Sequence, residues 1–167
     1  MNTNTKKLII TALMTALTCV ATMIIKIPSP LKGYINLGDC FVLIAGWILG
    51  WGFGFVSAGL GSALADIFSG YFIYSPATFI IKGLMAVIAY LCYKVLQKKM
   101  PKLPSYIISG LLAELFMIIG YYVFEGFLYG FAPSIVNVPG NCVQAAAGLI
   151  IGVIVIKIFD KFLLSKK

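Results

Sequence analysis

The chain has 167 residues, of which 61% are hydrophobic and 11% are charged. This composition excludes an ordinary water-soluble domain and predicts a protein that lies in a lipid bilayer. The net charge of +8 comes from 13 lysines, with no arginine, against 5 acidic residues. Because most of these lysines lie where apolar segments end, we expect no nucleic-acid partner. The absence of histidine removes the usual general base and metal ligand, so we expect no enzyme, no metal site and no cofactor.

The first apolar run covers residues 8–27 and follows a pair of lysines. Its length of about 20 residues is that of a helix that spans a membrane. Within it, Ala12 and Ala16 form a pair of small residues one helical turn apart, which lets another helix approach closely in lipid. The pair predicts either packing inside the domain or docking to another membrane subunit.

Five further apolar segments follow in chain order. We predict helices over 39–49, 53–68, 77–93, 105–124 and 141–159, joined by a glycine turn at 50–54, an aromatic loop at 69–76, a lysine-rich loop at 94–104 and a long loop at 125–140. A loop at 28–37 precedes them, and Asp39 opens the second helix, where a carboxylate suits the positive end of the helix dipole. The predicted fold is therefore an all-α integral membrane protein, a single domain of six transmembrane helices over residues 1–167.

The lysines predict how these helices are oriented. Ten of the 13 lie at the N-terminus, in the 94–104 loop or near the C-terminal end, whereas the loops at 69–76 and 125–140 have none. Cytoplasmic loops are enriched in lysine, which places both termini in the cytoplasm of a multi-pass protein of the cell membrane. An even number of crossings must then precede the 94–104 loop, so 39–68 is predicted as two spans. Lys26 and Lys32 fall on the outer side and count against this scheme.

Polar residues cluster in the outer half of the predicted bundle. Estimated from the helical rise of about 1.5 Å per residue, Lys82 lies about 9 Å and Glu114 about 15 Å below the outer surface. Ionisable groups inside a membrane are costly and usually face an interior cavity. We therefore predict an outward-facing pocket whose ligand-binding residues are Tyr34, Asp39, Asp66, Lys82, Glu114, Tyr121, Asn141 and Gln144.

Several of these residues also have a purely structural interpretation. Asp66 could simply pair with Lys82, Glu114 could pair with the same lysine, and Asn141 could cap the sixth helix. Aromatic residues of the outer loops could stack on a flat ligand or form an interfacial belt; they are Tyr34, Tyr71, Phe72, Tyr74 and Phe131.

Several short motifs, spread over nearly the whole chain, carry a resemblance to a known family. They are ALMTA (12–16), INLGD (35–39), GSALAD (61–66), SPATFIIKG (75–83) and PGNCVQ (139–144). Taken together they resemble the substrate-binding S components of energy-coupling factor (ECF) vitamin transporters. The resemblance implies a prokaryotic vitamin binder that docks onto a membrane coupling subunit and two ATPases, with Ala12 and Ala16 in the docking surface. ATP hydrolysis would then belong to the partner subunits.

Within that family the sequence looks most like the branch assigned to pyridoxine or to the thiamin precursor hydroxymethylpyrimidine. The predicted pocket is also compatible with riboflavin, pantothenate, folate or a queuosine precursor. A structural membrane protein whose polar residues only pair with one another is the competing hypothesis, and it predicts no stabilisation by any vitamin. A stand-alone carrier is a further alternative, although no duplication of two halves is evident.

Overall fold

The structure is a computed structural model that describes residues 3–31 and 33–164, so Lys32 of the predicted outer loop lies outside the described residues. Six α-helices, two short strands and one 3-10 turn follow one another in the described chain. They are α1 (Thr3–Ile24), β1 (Lys26–Pro28), β2 (Tyr34–Asn36), α2 (Asp39–Phe68), α3 (Ser75–Leu96), α4 (Lys102–Tyr129), α5 (Phe131–Ser134), the 3-10 turn (Ile135–Asn137) and α6 (Val138–Leu164).

Five helices of the described chain are long and apolar enough to cross a membrane: α1, α2, α3, α4 and the run Phe131–Lys161, which covers most of α6. Large apolar side chains point outward from them, such as Trp51 at 67% and Phe127 at 80% exposure. Charged residues such as Lys82 and Asp39 are buried instead, at 2% and 0% exposure. This arrangement, apolar outside and polar inside, is the one that a bilayer favours.

Helix α2 reverses direction at Gly50. That residue has φ +82° and ψ −176°, a conformation that glycine adopts without steric cost, and the residues on either side of it are helical. A Cβ atom placed on Gly54 would lie 3.1 Å from the carbonyl oxygen of Ala45. Nine residues of a straight helix would separate them by about 13.5 Å. The halves 39–49 and 51–68 therefore fold back on each other, and the break is shorter than the predicted turn over 50–54.

Helix α3 packs against both halves of α2. Where α3 contacts the first half, residue numbers increase in the same direction along both helices. Where it contacts the second half, residue numbers increase along one helix and decrease along the other. The first set pairs Gly46 with Ala86 and Gly50 with Tyr90; the second pairs Phe55 with Gly83 and Gly59 with Phe79. The first half is thus parallel to α3 and the second half antiparallel. Glycine at these contacts lets the helices approach to backbone distance, as is usual in lipid.

The prediction of an entirely helical fold is wrong in one region. Residues of the predicted 28–37 loop and the end of the first predicted helix form an antiparallel hairpin, in which Lys26 pairs with Asn36 and Pro28 with Tyr34. The segment combines isoleucine and tyrosine, which favour strands, with prolines that end the helix. Helix α1 consequently ends at Ile24 rather than at residue 27.

The predicted long loop over 125–140 is also wrong. Helix α4 continues to Tyr129, Gly130 breaks it with φ +92°, and short helical turns lead directly into α6. Pro133 and Pro139 lie in the first turns of α5 and α6. Proline is tolerated there because the first N–H groups of a helix have no intrahelical acceptor.

Candidate functional site

A cavity lined by polar and aromatic side chains lies at the end of the bundle opposite the 97–101 turn. It forms where β2, the end of α2, the start of α3, the later part of α4 and the start of α6 converge. The empty space around its lining side chains amounts to about 390 Å³, a figure that includes the open mouth, and the passage between the side chains is narrow. The lining residues are Gly33, Tyr34, Asn36, Asp66, Tyr71, Tyr74, Thr78, Tyr121, Glu125, Asn141 and Gln144.

Tyrosines form one wall of the cavity. The rings of Tyr34 and Tyr71 have centroids 4.7 Å apart, and those of Tyr71 and Tyr74 are 6.5 Å apart. The hydroxyl of Tyr34 donates a hydrogen bond of 2.6 Å to Oδ1 of Asp66. Burial, and then the nearby Asp66 carboxylate, raise the pKa of Tyr34 above its usual value, so this hydroxyl stays a donor. The wall therefore offers flat apolar faces, and carboxylates fix the hydroxyls of two of its tyrosines, Tyr34 through Asp66 and Tyr74 through Glu125.

A network of buried polar groups supports the floor. Gln144 accepts a 2.8 Å hydrogen bond from the backbone N–H of Asn36 and donates one of 2.7 Å to Oδ2 of Asp39. The other carboxylate oxygen of Asp39 forms an ion pair with Lys82. The ammonium of Lys82 also lies 5.4 Å from the ring centroid of Tyr121, a cation–π geometry. Gln144 thus links the cavity to an ion pair directly beneath it.

Glu114 lies beside this network rather than in the cavity. Its side chain is 1% exposed, and neither carboxylate oxygen has a hydrogen-bond partner among the described residues. It borders an apolar groove between α4 and α6 on the side of the helix bundle. A Cβ atom on Gly148 would lie 2.9 Å from Oε1 of Glu114 and 2.7 Å from Cβ of Asp39, so glycine is needed where α6 crosses these acids.

The structure brings most of the predicted site residues together. Five of the eight line the cavity: Tyr34, Asp66, Tyr121, Asn141 and Gln144. Asp39 and Lys82 lie beneath it, and Glu114 lies to one side.

Three of the structural alternatives differ from what the structure shows. Lys82 pairs with Asp39. It pairs neither with Asp66, whose Oδ1 is bonded to Tyr34, nor with Glu114, whose carboxylate has no hydrogen-bond partner among the described residues. Asn141 does not cap the last helix, because α6 already begins at Val138.

Four lining residues were missed as candidates: Gly33, Asn36, Thr78 and Glu125. The signal for two of them was helical spacing. Thr78 precedes Lys82 by four residues and Glu125 follows Tyr121 by four, so each shares a helix face with a predicted residue. Glu125 was missed because the stretch after 124 was interpreted as a loop. Of the predicted aromatic residues, Phe72 and Phe131 are 65% and 48% exposed and do not line the cavity.

Comparison with known proteins identifies the family. A model of the family described as the S component of the ECF-type riboflavin transporter matches residues 2–161. The chain belongs to this S-component family. A curated relative from Pyrococcus woesei, described as an uncharacterized protein in gap 3' region, is 32% identical over 134 residues, covering 80% of this chain and 87% of the relative.

Two solved S components share the fold. One, from a bacterial ECF transporter, has a TM-score of 0.70 and 22% identity over 96% of this chain and 98% of its own. The other, the S component for biotin from an ECF-type ABC transporter, has a TM-score of 0.62 and 23% identity over 94% and 95%. The resemblance drawn from the sequence motifs is confirmed for the family. This S component is accordingly a membrane protein, the substrate-binding subunit of a transporter rather than an enzyme.

Proposed function

We propose that this S component binds a small water-soluble vitamin in the cavity described above and delivers it across the cell membrane of a prokaryote. The observation that carries the proposal is the convergence of five chain segments on one buried polar cavity at a single end of an otherwise apolar bundle. Binding needs no covalent chemistry. The energy for release would come from ATP hydrolysis on partner subunits, the membrane coupling subunit and two ATPases that the family implies.

The proposed topology has six crossings, with both termini in the cytoplasm and the cavity facing outward. The reversal at Gly50 supports counting α2 as two crossings. Successive segments then alternate in direction, and the cavity lies at the end remote from the lysines of the 94–104 loop. The first half of α2 is short for a span, so it would cross only where the bilayer is locally thin.

For the substrate, we favour a flat heteroaromatic ring that carries hydroxymethyl groups, namely pyridoxine or hydroxymethylpyrimidine. The tyrosine wall supplies faces for ring stacking, and Asn141 and Gln144 supply amides for hydroxyl groups. Riboflavin is the second candidate, since the matching family is described as a riboflavin transporter component. It too presents a flat ring system and hydroxyl groups.

Each predicted site residue has a place in this proposal. Tyr34, Asp66, Tyr121, Asn141 and Gln144 would contact the vitamin, and Lys82 and Asp39 would hold Gln144 in position from below. Glu114 would act on the same floor through its proximity to Asp39.

The experiment uses the full chain purified in mild detergent. Small molecules released from the protein are identified by mass spectrometry, and a vitamin panel is then tested for thermal stabilisation. We expect one vitamin at close to one molecule per chain. Q144A should weaken its binding at least about tenfold, because removing one partner of a buried hydrogen-bonded charge network commonly costs about 2–5 kcal/mol.

The matched control is Q97A, at an exposed glutamine beyond the other end of α3, which should bind normally. If no vitamin is released and none stabilises the protein, the structural-protein hypothesis replaces this proposal. Uptake that persists in cells without the ATPase module would favour a stand-alone carrier instead.

A further inference from the structure

Two buried carboxylates of the cavity lining each have one free oxygen. Asp66 and Glu125 are 4% and 3% exposed. Oδ1 of Asp66 accepts the Tyr34 hydroxyl at 2.6 Å, whereas its Oδ2 has no hydrogen-bond partner among the described residues. Glu125 repeats the pattern. Its Oε1 accepts hydrogen bonds from Tyr74 at 3.3 Å and from Asn137 at 2.9 Å. Its Oε2 has no hydrogen-bond partner among the residues that the structure describes.

A buried polar atom without a hydrogen bond is unusual, because leaving it unpaired costs free energy. Both free oxygens belong to side chains of one cavity, and in each carboxylate the other oxygen is already fixed by a tyrosine hydroxyl. The tyrosines thereby hold the two carboxylates in fixed orientations. Two acceptors are left for groups that enter the cavity, one from the end of α2 and one from α4.

The described lining offers no cation to balance these acids. Lys82 lies beneath the floor and is paired with Asp39. Lys26 donates a hydrogen bond to Ser69 and lies 5.9 Å from the ring centroid of Tyr34, so it is engaged on the hairpin. An anionic ligand would therefore meet two carboxylates without a compensating charge in the described lining, which is a costly arrangement in a buried site.

We infer that the cavity selects a ligand that presents hydrogen-bond donors and has no negative charge, with Asp66 and Glu125 as the residues that determine this specificity. The inference rests on the proposed function and deepens it. A ring N–H, an amino group or a hydroxyl of a neutral or cationic vitamin satisfies the two free oxygens. A carboxylate-bearing vitamin is rejected, because it adds like charge and supplies no donor at that group.

This selection separates the vitamins that the sequence alone left open. Pyridoxine, hydroxymethylpyrimidine and riboflavin carry donors and no carboxylate, so all three satisfy it. Pantothenate and folate carry carboxylates and do not satisfy it. Biotin, which was not among those candidates, also carries a carboxylate. The solved S component for biotin, whose fold this chain shares, would then differ from it in the charge of its ligand.

The test compares probes that share a ring but differ in charge. Purified full-length protein is titrated with pyridoxine, pyridoxamine and 4-pyridoxate, and in parallel with riboflavin, hydroxymethylpyrimidine, biotin and pantothenate. We expect at least one uncharged or cationic compound to bind, and to bind at least tenfold more tightly than any carboxylate in the panel. Asp66→Asn and Glu125→Gln keep the side-chain shape but remove the charge. Each variant should lower the affinity for the preferred ligand at least tenfold. Each should also reduce the ratio between that affinity and the affinity for the carboxylate compounds.

Asp160→Asn is the control, since this acid lies at the opposite end of the bundle beside Lys102 and should leave binding unchanged. The wild-type selectivity tests the inference even if a cavity variant fails to fold. A carboxylate that binds as tightly as its uncharged counterpart would overturn the inference and leave the S-component function intact. Unchanged selectivity in both folded cavity variants would also overturn it. If no compound binds, the proposed function fails and the inference falls with it.

Discussion

The ammonium of Lys82 on α3 and the carboxylate of Asp39 at the start of α2 form an ion pair whose members are 2% and 0% exposed. Gln144 donates to the second oxygen of Asp39, so the pair joins α2, α3 and α6 beneath the cavity. A buried ion pair adds little net stability over an apolar alternative, because both charges lose their hydration. Removing one member is costly, however, since the other charge stays buried without its partner.

Lys82→Met should lower the free energy of unfolding by about 3–5 kcal/mol, because it leaves Asp39 charged and unpaired in the protein interior. The double variant with Asp39→Asn should recover a large part of the loss. Thermal unfolding of the purified protein in detergent measures both. Equal instability of the single and double variants would contradict this role of the pair and indicate that Lys82 acts through its packing.

Glu114→Gln should raise the free energy of unfolding by about 1 kcal/mol. The carboxylate is 1% exposed, has no hydrogen bond to a described residue and approaches Asp39, so neutralising it removes both a desolvation cost and a like-charge repulsion. The same thermal unfolding assay measures the change. Glu114→Ala is the comparison. Its free energy of unfolding should rise less, because the smaller side chain leaves a cavity. Destabilisation by the glutamine variant would contradict the view that the buried charge of Glu114 costs stability.

Much of the cavity was predictable from the sequence because its residues stand out against their surroundings. Charged and amide groups are expensive inside a membrane, so Asp66 and Gln144 could be assigned to an interior site without any structure. Lysine placement likewise suggested that 39–68 contains two segments. The structure then located the reversal at one residue, Gly50, although all three glycines of the turn looked equivalent in the sequence.

The ion pair between Lys82 and Asp39 was not predictable from the sequence. Which acid meets Lys82 depends on the first half of α2 running parallel to α3, and that follows only from how the halves of α2 pack. Glu125 was not predicted as a site residue because Pro133 and Pro139 suggested that residues 125–140 form a loop. In the structure these prolines lie in the first turns of helices. A sequence pattern therefore shows which groups are costly to bury, but it does not show which residues they contact.

Gly46→Ala should destabilise the protein by about 1–3 kcal/mol, because a Cβ atom there would collide with the backbone carbonyl of Ala86, which cannot rotate away. Gly52→Ala is a matched control in the same helix. No described atom lies within 4 Å of a Cβ built on Gly52, and alanine is the better helix former, so stability should stay equal or rise slightly. Thermal unfolding of the two variants, measured side by side, compares their stabilities. A similar loss in both would mean that the flexibility of α2, and not its contact with α3, requires glycine.

Ala12→Leu and Ala16→Leu should block assembly with the coupling subunit and leave vitamin binding unchanged. Helix α1 packs on α2 through the face that carries the buried Thr11 and Thr18, where Ser57 donates to the Thr11 carbonyl. Ala12 and Ala16 are exposed. A larger side chain at either alanine would keep a partner helix at a distance, since close approach in lipid depends on small residues. Co-purification with the coupling subunit and ATPases measures assembly, and Ala146→Leu, at an exposed alanine of α6, is the control. Loss of vitamin binding in the α1 variants would place this face inside the folded domain, and assembly as efficient as that of the control would remove it from the docking surface.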